Sequence, residues 1–142
     1  MQYVTPRAVP DVEETDRLSF MPYMFGTDFM LSELMVYALA QKHLPGSVGS
    51  PWHFIRLPEG GGYMMPDTAR CHLVITENGF DRTVSADAAG IILTVMALCQ
   101  RCYTHHDGGD CALTRLFLIR EAQLFRFIES HPERAAIKAA LN

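Results

Sequence analysis

Hydrophobic positions change their period several times along this chain, and each change marks an element. From Leu34 to Ala40 every residue is apolar or tyrosine. Such a run predicts a helix buried nearly all round, capped by Thr27 or Asp28 and ending near His43. The segment 44–51 (LPGSVGSP) then reads as a loop. Trp52 to Leu57 is aromatic and branched and predicts a strand, Pro58-Glu59-Gly60-Gly61 a turn, and Gly62 to Met65 a returning strand. After a turn at 66–69, Cys71 to Thr76 and Phe80 to Val84 predict two more strands joined at Asn78-Gly79. Both residues of that turn tolerate the positive φ of a type I′ hairpin. The short connections make the four strands an antiparallel meander.

From residue 85 onward the period is helical. Ser85 is placed to cap a helix, with Asp87 in the first turn where a carboxylate favours the helix dipole. Ala88, Ala89, Ile91, Ile92, Leu93, Val95 and Leu98 leave that helix almost no polar face, which predicts the central core helix, ending near Cys102. Gly90, Thr94 and Ala97 form a line of small residues where another element can approach. Residues 104–110 (THHDGGD) read as a loop, and 112–130 as a helix with Leu113, Leu116, Phe117, Leu124, Phe127 and Ile128 in one stripe. His131-Pro132 ends it, and Pro132 suits the first turn of a last helix to Leu141. At the other end, Pro6, Pro10 and Pro22 make residues 1–26 an extended arm, free over its first fifteen residues and docked by Phe20, Met21, Tyr23, Met24 and Phe25. The class expected is α+β: a small antiparallel meander of about four strands packed with about four helices, in a single compact domain over 1–142 with 1–18 as the arm.

Composition narrows the function classes. Of 142 residues, 49% are hydrophobic and 20% charged, an ordinary globular balance. No apolar run reaches the ~18–20 residues that cross a bilayer, and the start of the chain lacks the basic and apolar blocks of a signal peptide. The expectation is a cytoplasmic chain with no membrane partner and reduced thiols at Cys71, Cys99, Cys102 and Cys111. A net charge of −4 with no basic stripe excludes a phosphate backbone as the main ligand. Imitation of DNA also fits poorly, because acids and bases are interspersed and only Asp11, Glu13, Glu14 and Asp16 cluster, flanked by Arg7 and Arg17.

Candidate chemistry is sparse. Cys99, Cys102, His105, His106 and Cys111 carry ligand types that can bind zinc. Their spacing matches no standard finger, and the reading preferred is buried cysteines in an apolar helix, with metal as the alternative. The Gly-rich turn at 59–62 lacks both the residues and the strand-to-helix setting of a phosphate loop. No nucleophile motif occurs; Asp67 with His72 could form an acid–base pair, but both read as surface or strand residues. Arg120, in the middle of an apolar stripe, is expected to be partly buried and paired with Glu33 or Asp87, or else to reach water at the edge of the stripe.

The strings RLSFMPYMFG (17–26), the Glu33–Tyr37 helix, Trp52, GGGYMMP (60–66), ENGF (77–80) and SADAAGI (85–91), in this order, resemble the ArdB/KlcA antirestriction family over residues 9–140. The loop before Trp52 departs from the family's Tyr-x-Gly-Gly-like approach, running Pro45-Gly46-Ser47-Val48-Gly49-Ser50-Pro51. The Cys/His cluster is outside the pattern. The resemblance implies a compact mixed α/β fold and inhibition of type I restriction–modification endonuclease activity, sparing modification, by a route distinct from acidic DNA mimicry. The first reading is then a non-enzymatic protein without a cofactor, whose partner is the restriction–modification complex or a host factor controlling it, with no strong nucleic-acid binding expected. One alternative is a direct acidic competitor for the complex's DNA site, using Asp67, Glu77, Asp81, Asp87 and the arm; another is a small metal-dependent enzyme. Trp52, Tyr63, Asp81 and Asp87 are the candidates for partner contact, since aromatic residues with scattered charges suit interfaces. Glu33, Asn78, Gly79, Ser85 and Gly90 are pattern residues with structural explanations.

Overall fold

A computed structural model describes residues 16–45 and 51–142 and the backbone of 11–12. The rest of the expected arm, with most of its acidic cluster, and the departing loop at 46–50 lie outside the described residues. Five helices and five strands occur among them: β1 (Asp11–Val12), α1 (Arg17–Phe25), α2 (Phe29–His43), β2 (Trp52–Arg56), β3 (Gly62–Pro66), β4 (Arg70–Ile75), β5 (Phe80–Ser85), α3 (Ala86–Asp107), α4 (Cys111–Ile128) and α5 (Arg134–Leu141). This is the expected α+β class.

The second half of the expected arm is a helix. In α1, Phe20, Met21, Met24 and Phe25 share one buried face, the i, i+1, i+4, i+5 pattern of an amphipathic helix. Pro22 cannot donate to the carbonyl of Leu18, but Leu18 and Pro22 both face solvent, so the lost bond falls on the wet side. Gly26, at φ 58°, ends the helix and starts a 3-10 turn into α2. That helix runs where expected, yet it is not buried all round: Met30, Leu31 and Leu34 are exposed, while Ser32, Glu33, Val36, Leu39, Ala40 and His43 face the core. A run apolar on every side carries no information about which side meets the core, and three of the buried positions, Ser32, Glu33 and His43, are polar.

The four expected strands form two antiparallel hairpins in separate sheets. One has the order β1-β2-β3 with Ile55 opposite Tyr63; the other pairs β4 with β5, Ile75 opposite Phe80. In the first hairpin, Gly60 N–H donates to the Leu57 carbonyl (3.1 Å) and Leu57 N–H to that of Gly61 (3.0 Å). In the second, the turn spans Thr76 to Gly79 and only Gly79 has positive φ (78°), so it is not the expected two-residue I′ turn. Asn78 acts through its side chain instead. Its Oδ1 accepts from Phe80 N–H (3.0 Å), and its Nδ2 donates to the Ala140 carbonyl (2.8 Å) at the end of α5.

Helix α3 is the core helix, with Ala88, Ala89, Ile91, Ile92, Leu93, Ala97 and Leu98 fully buried. Ser85 caps it, its Oγ accepting from Ala88 N–H at 3.0 Å. Strand β3 lies directly on its small-residue line: a Cβ on Gly90 would come within 2.2 Å of the Met64 carbonyl oxygen, and Thr94 Oγ1 accepts from Met64 N–H (3.0 Å). The helix continues past the expected end to Asp107, because Thr104, His105 and His106 do not break it; Gly108-Gly109 does, so the loop expected over 104–110 is half helical. Asp110 caps α4 by accepting from Leu113 N–H (3.0 Å). Pro132 lies in the turn before α5 rather than in its first turn.

Candidate functional site

The densest polar centre lies inside the core, where β3, the start of α3 and the α4–α5 turn meet. Tyr63 Oη donates to Asp87 Oδ1, and His131 Nε2 lies 2.7 Å from Asp87 Oδ2. His131 Nδ1 accepts from Glu133 N–H (3.0 Å), so a neutral ring must carry its proton on Nε2 and donate it to Asp87. Phe127 closes the site, stacking on Tyr63 with ring centroids 6.1 Å apart and standing edge-on to His131 at 5.9 Å. Beside it, Glu133 accepts from both the N–H and the Oγ–H of Ser85, tying α5 to the cap of α3. A Tyr–Asp–His chain is an acid–base inventory, but Tyr63 is 0%, Asp87 3% and His131 7% exposed. So enclosed, these groups join three elements.

Two more buried carboxylates serve the same purpose. Asp28 accepts from Arg101 Nη2 (2.7 Å) and Nε (2.8 Å) and from Ser32 Oγ (2.8 Å), with His105 Nε2 at 3.1 Å. Burial works to raise its pKa, but the bonds from Arg101 and Ser32 outweigh burial and hold the carboxyl below the ordinary aspartate value. Glu33 accepts from the Arg17 guanidinium and from Tyr37 Oη (2.7 Å). Desolvation, then this carboxylate, pushes the Tyr37 phenol well above its ordinary range.

The expected pairings are redrawn. Among the described residues Arg120 finds no carboxylate. Its Nη2 donates to the Tyr23 carbonyl (2.6 Å), its Nη1 to Gln123 Oε1 (2.9 Å), and its guanidinium sits 4.2 Å from the centre of the Tyr23 ring. It closes the C-terminal carbonyls of α1, a role invisible while 17–25 was read as an arm. Asp67 pairs with His53 (3.0 Å), not His72, and His72 pairs with Asp81 across the β4–β5 ladder (2.5 Å). Of the carboxylate row weighed for a DNA competitor, the arm lies outside the described residues, and the other four members are buried or paired. Asp87 is buried, Asp67 and Asp81 each face a histidine, and the Lys42 ammonium at 2.7 Å holds Glu77 at about 2.

Of the contact candidates, Tyr63 and Asp87 are buried and cannot meet a partner on the folded chain. Trp52 is half-buried against Tyr37, ring centroids 5.5 Å apart, and Asp81 is exposed. The Cys/His set is scattered. Cys99 Sγ lies 3.3 Å from Glu121 Oε1, Cys102 is buried with Sγ 3.7 Å from the Thr114 carbonyl, and His105 turns to Asp28. Desolvation, reinforced by Glu121, pushes the Cys99 thiol up to about 12. Among the described residues no group of three His, Cys, Asp or Glu side chains is placed to hold a metal ion. A cleft of about 370 Å³ lies between the β2–β3 turn and α4, lined by Leu57, Pro58, Ile119, Gln123, Arg126 and Phe127 among others.

Comparison with known proteins adds what geometry alone does not. A family model described as Antirestriction protein matches residues 47–142. YubI of Escherichia coli K12, a candidate antirestriction protein, is 61% identical over 142 residues, covering 100% of both chains. The antirestriction protein KlcA of Escherichia coli is 37% identical over 135 residues, covering 92% of each chain. This chain belongs to the ArdB/KlcA antirestriction family. The family's solved fold agrees: a structure from work on the KlcA and ArdB proteins aligns with TM-score 0.82 at 37% identity, covering 97% of this chain and 99% of that one. That work describes a novel fold and antirestriction activity against type I DNA restriction systems in vivo but not in vitro.

For this antirestriction family member, the pattern strings SADAAGI and GGGYMMP encode the polar centre and the helix–strand contact beneath it. Ser85, Asp87 and Gly90 come from the first string, Tyr63 and Met64 from the second. Reading the sequence missed His131 and Glu133, which complete the centre. The signal available was their position just after an apolar helix, opposite Asp87, the only acid at the start of another. Among the described residues no helix is long and apolar enough to cross a membrane.

Proposed function

We propose that this chain relieves type I restriction of incoming unmodified DNA in the cytoplasm, through protein contacts and without catalysis. The observation that carries the reading is the full-length likeness to the KlcA and ArdB proteins, whose reported activity is against type I systems in vivo but not in vitro. An inhibitor active only in cells acts with a component missing from the purified reaction. The partner is therefore a host factor that controls the restriction complex, or the complex in a state found only in cells. The chemistry described above supports contact over catalysis, because the strongest acid–base groups are enclosed and hold elements together. The burial of Asp87 and the pairing of Asp67, Glu77 and Asp81 weigh against direct competition for the DNA site, which needs dense negative charge.

The test is plating efficiency of unmodified phage on hosts carrying a type I system, with and without the protein. Plating is expected to rise, with methylation of the host's own sites retained and with little effect on a simple type II enzyme. Unchanged plating removes the proposal. Equal protection against type II enzymes, or salt-sensitive displacement of DNA from the purified complex, replaces it with direct competition.

A further inference from the structure

Helix α4 has a second apolar face that the fold does not use. Its inward face carries Phe117, Leu124 and Ile128 into the core. Its outward face carries Arg115, Leu118, Ala122 and Phe125, with Glu129 at its C-cap, spaced by three, four, three and four residues. This is the seven-residue repeat of a helix that lies along another helix, two positions per repeat facing the partner. All five are exposed, Leu118 at 54% and Phe125 at 43%, and Ile119 beside them at 47%. An amphipathic surface helix has polar residues here; α4 instead puts Leu118, Ile119 and Phe125 in water.

The surroundings are shaped to receive side chains. The seam is a ridge with a hollow on each side. One, about 370 Å³, is the cleft bordered by Pro58, Ile119 and Arg126. The other, about 320 Å³, lies toward α3 and is lined by Cys99, Tyr103, Leu118 and Glu121; Tyr103 is itself 73% exposed. A ridge of this kind fits a surface offering the same ridge and hollows.

The charges select the occupant. Arg115 and Glu129 each lie seven residues from Ala122, on opposite sides, about 10 Å along the axis. A second α4 laid antiparallel about a two-fold axis at Ala122 sets Arg115 against Glu129 of the other copy at both ends. It sets Ile119 against Phe125 and the aliphatic stem of Arg126 over Leu118, with the small Ala122 where the two helices come closest. A parallel copy sets like charge on like. Glu129 already meets Lys138 (2.5 Å) and Arg134 (3.7 Å), both exposed; such pairs are worth little in water, so Arg115 of the other copy can join them. We infer that the outward face of α4 is a two-fold interface with a second copy of this chain, packed antiparallel about Ala122. This is isologous closure, which consumes the apolar face and stops at two.

Sedimentation equilibrium of the full chain over a range of concentrations tests it. A mass rising from 15.9 kDa to twice that value is expected. Phe125→Asp should keep the far-UV spectrum and thermal midpoint, because the side chain faces solvent, and should remain a single chain. Arg115→Glu and Glu129→Arg should each weaken association, and the double variant should restore it toward wild type. A single-chain mass at every concentration overturns the proposal, as does a dimer indifferent to Phe125→Asp. Failure of the double reversal to rescue overturns the antiparallel register. Restriction relief need not change in any of these outcomes, so the phage assay and this one fail separately.

Discussion

Asp81 and Asp87 are six residues apart and have different work. Asp81 stands in water beside His72, whereas Asp87 accepts from Tyr63 and His131 inside the core. Alanine at 87 leaves a buried phenol and a buried imidazole without their acceptor, a loss of about 3 kcal/mol by analogy with broken buried pairs. Alanine at 81 should stay within about 0.5 kcal/mol of wild type. Urea unfolding measures both. Restriction relief by the Asp87→Ala protein should then follow its folded fraction; a folded variant that has lost relief would give Asp87 a functional role beyond the fold. Asp28 supplies a pH test. Its carboxyl is held below the ordinary aspartate value, so its stabilisation is fully present above about pH 4. It is lost as pH falls through the lower, folded value, where the protonated group resembles an amide. The stability gap between wild type and Asp28→Asn should therefore narrow on acidification toward pH 2. A gap constant from pH 6 downward would show that the carboxylate's charge contributes nothing.

At the scale of elements, the contact between β3 and α3 is the most demanding. Gly90→Ala improves helix propensity by about 1 kcal/mol but drives a methyl group into the Met64 carbonyl. Backbone cannot yield as a side chain can, so the overlap, about 1–3 kcal/mol, should win and lower the thermal midpoint. An unchanged midpoint would mean that the strand can lift off the helix. This contact was partly legible beforehand, because Gly90, Thr94 and Ala97 form a visible line of small residues. The strands, the cap at Ser85 and the core helix were legible for the same reason: their signals are local. What was not legible depended on distant partners. Proline at 22 reads as a breaker until the exposed side of α1 is known. Arg120 reads as an ion-pair candidate until the carbonyls of α1 arrive beneath it. Tyr63 reads as a contact residue until Asp87 and His131 enclose it. Asn78 kept its importance and changed its task, from turn geometry to holding the end of α5.

For the whole molecule, two separate hairpins imply two levels of local stability. Strand β3 is buried throughout and laid on the core helix, whereas β5 is exposed at Asp81, Arg82 and Thr83. Amide exchange should show the β2–β3 ladder opening only with global unfolding, and the β4–β5 ladder opening at lower free energy. Equal protection in both would mean that they unfold as one unit. The Arg120 contact has a further consequence, in the order of synthesis. Arg120 and the Tyr23 carbonyl it closes are 97 residues apart. At ~5–20 residues per second, roughly 5–20 s separate the emergence of α1 from that of the guanidinium that finishes it. Through that interval the nascent helix has open carbonyls and an apolar face still without α4, so a newly made chain depends most on chaperones before α4 is translated.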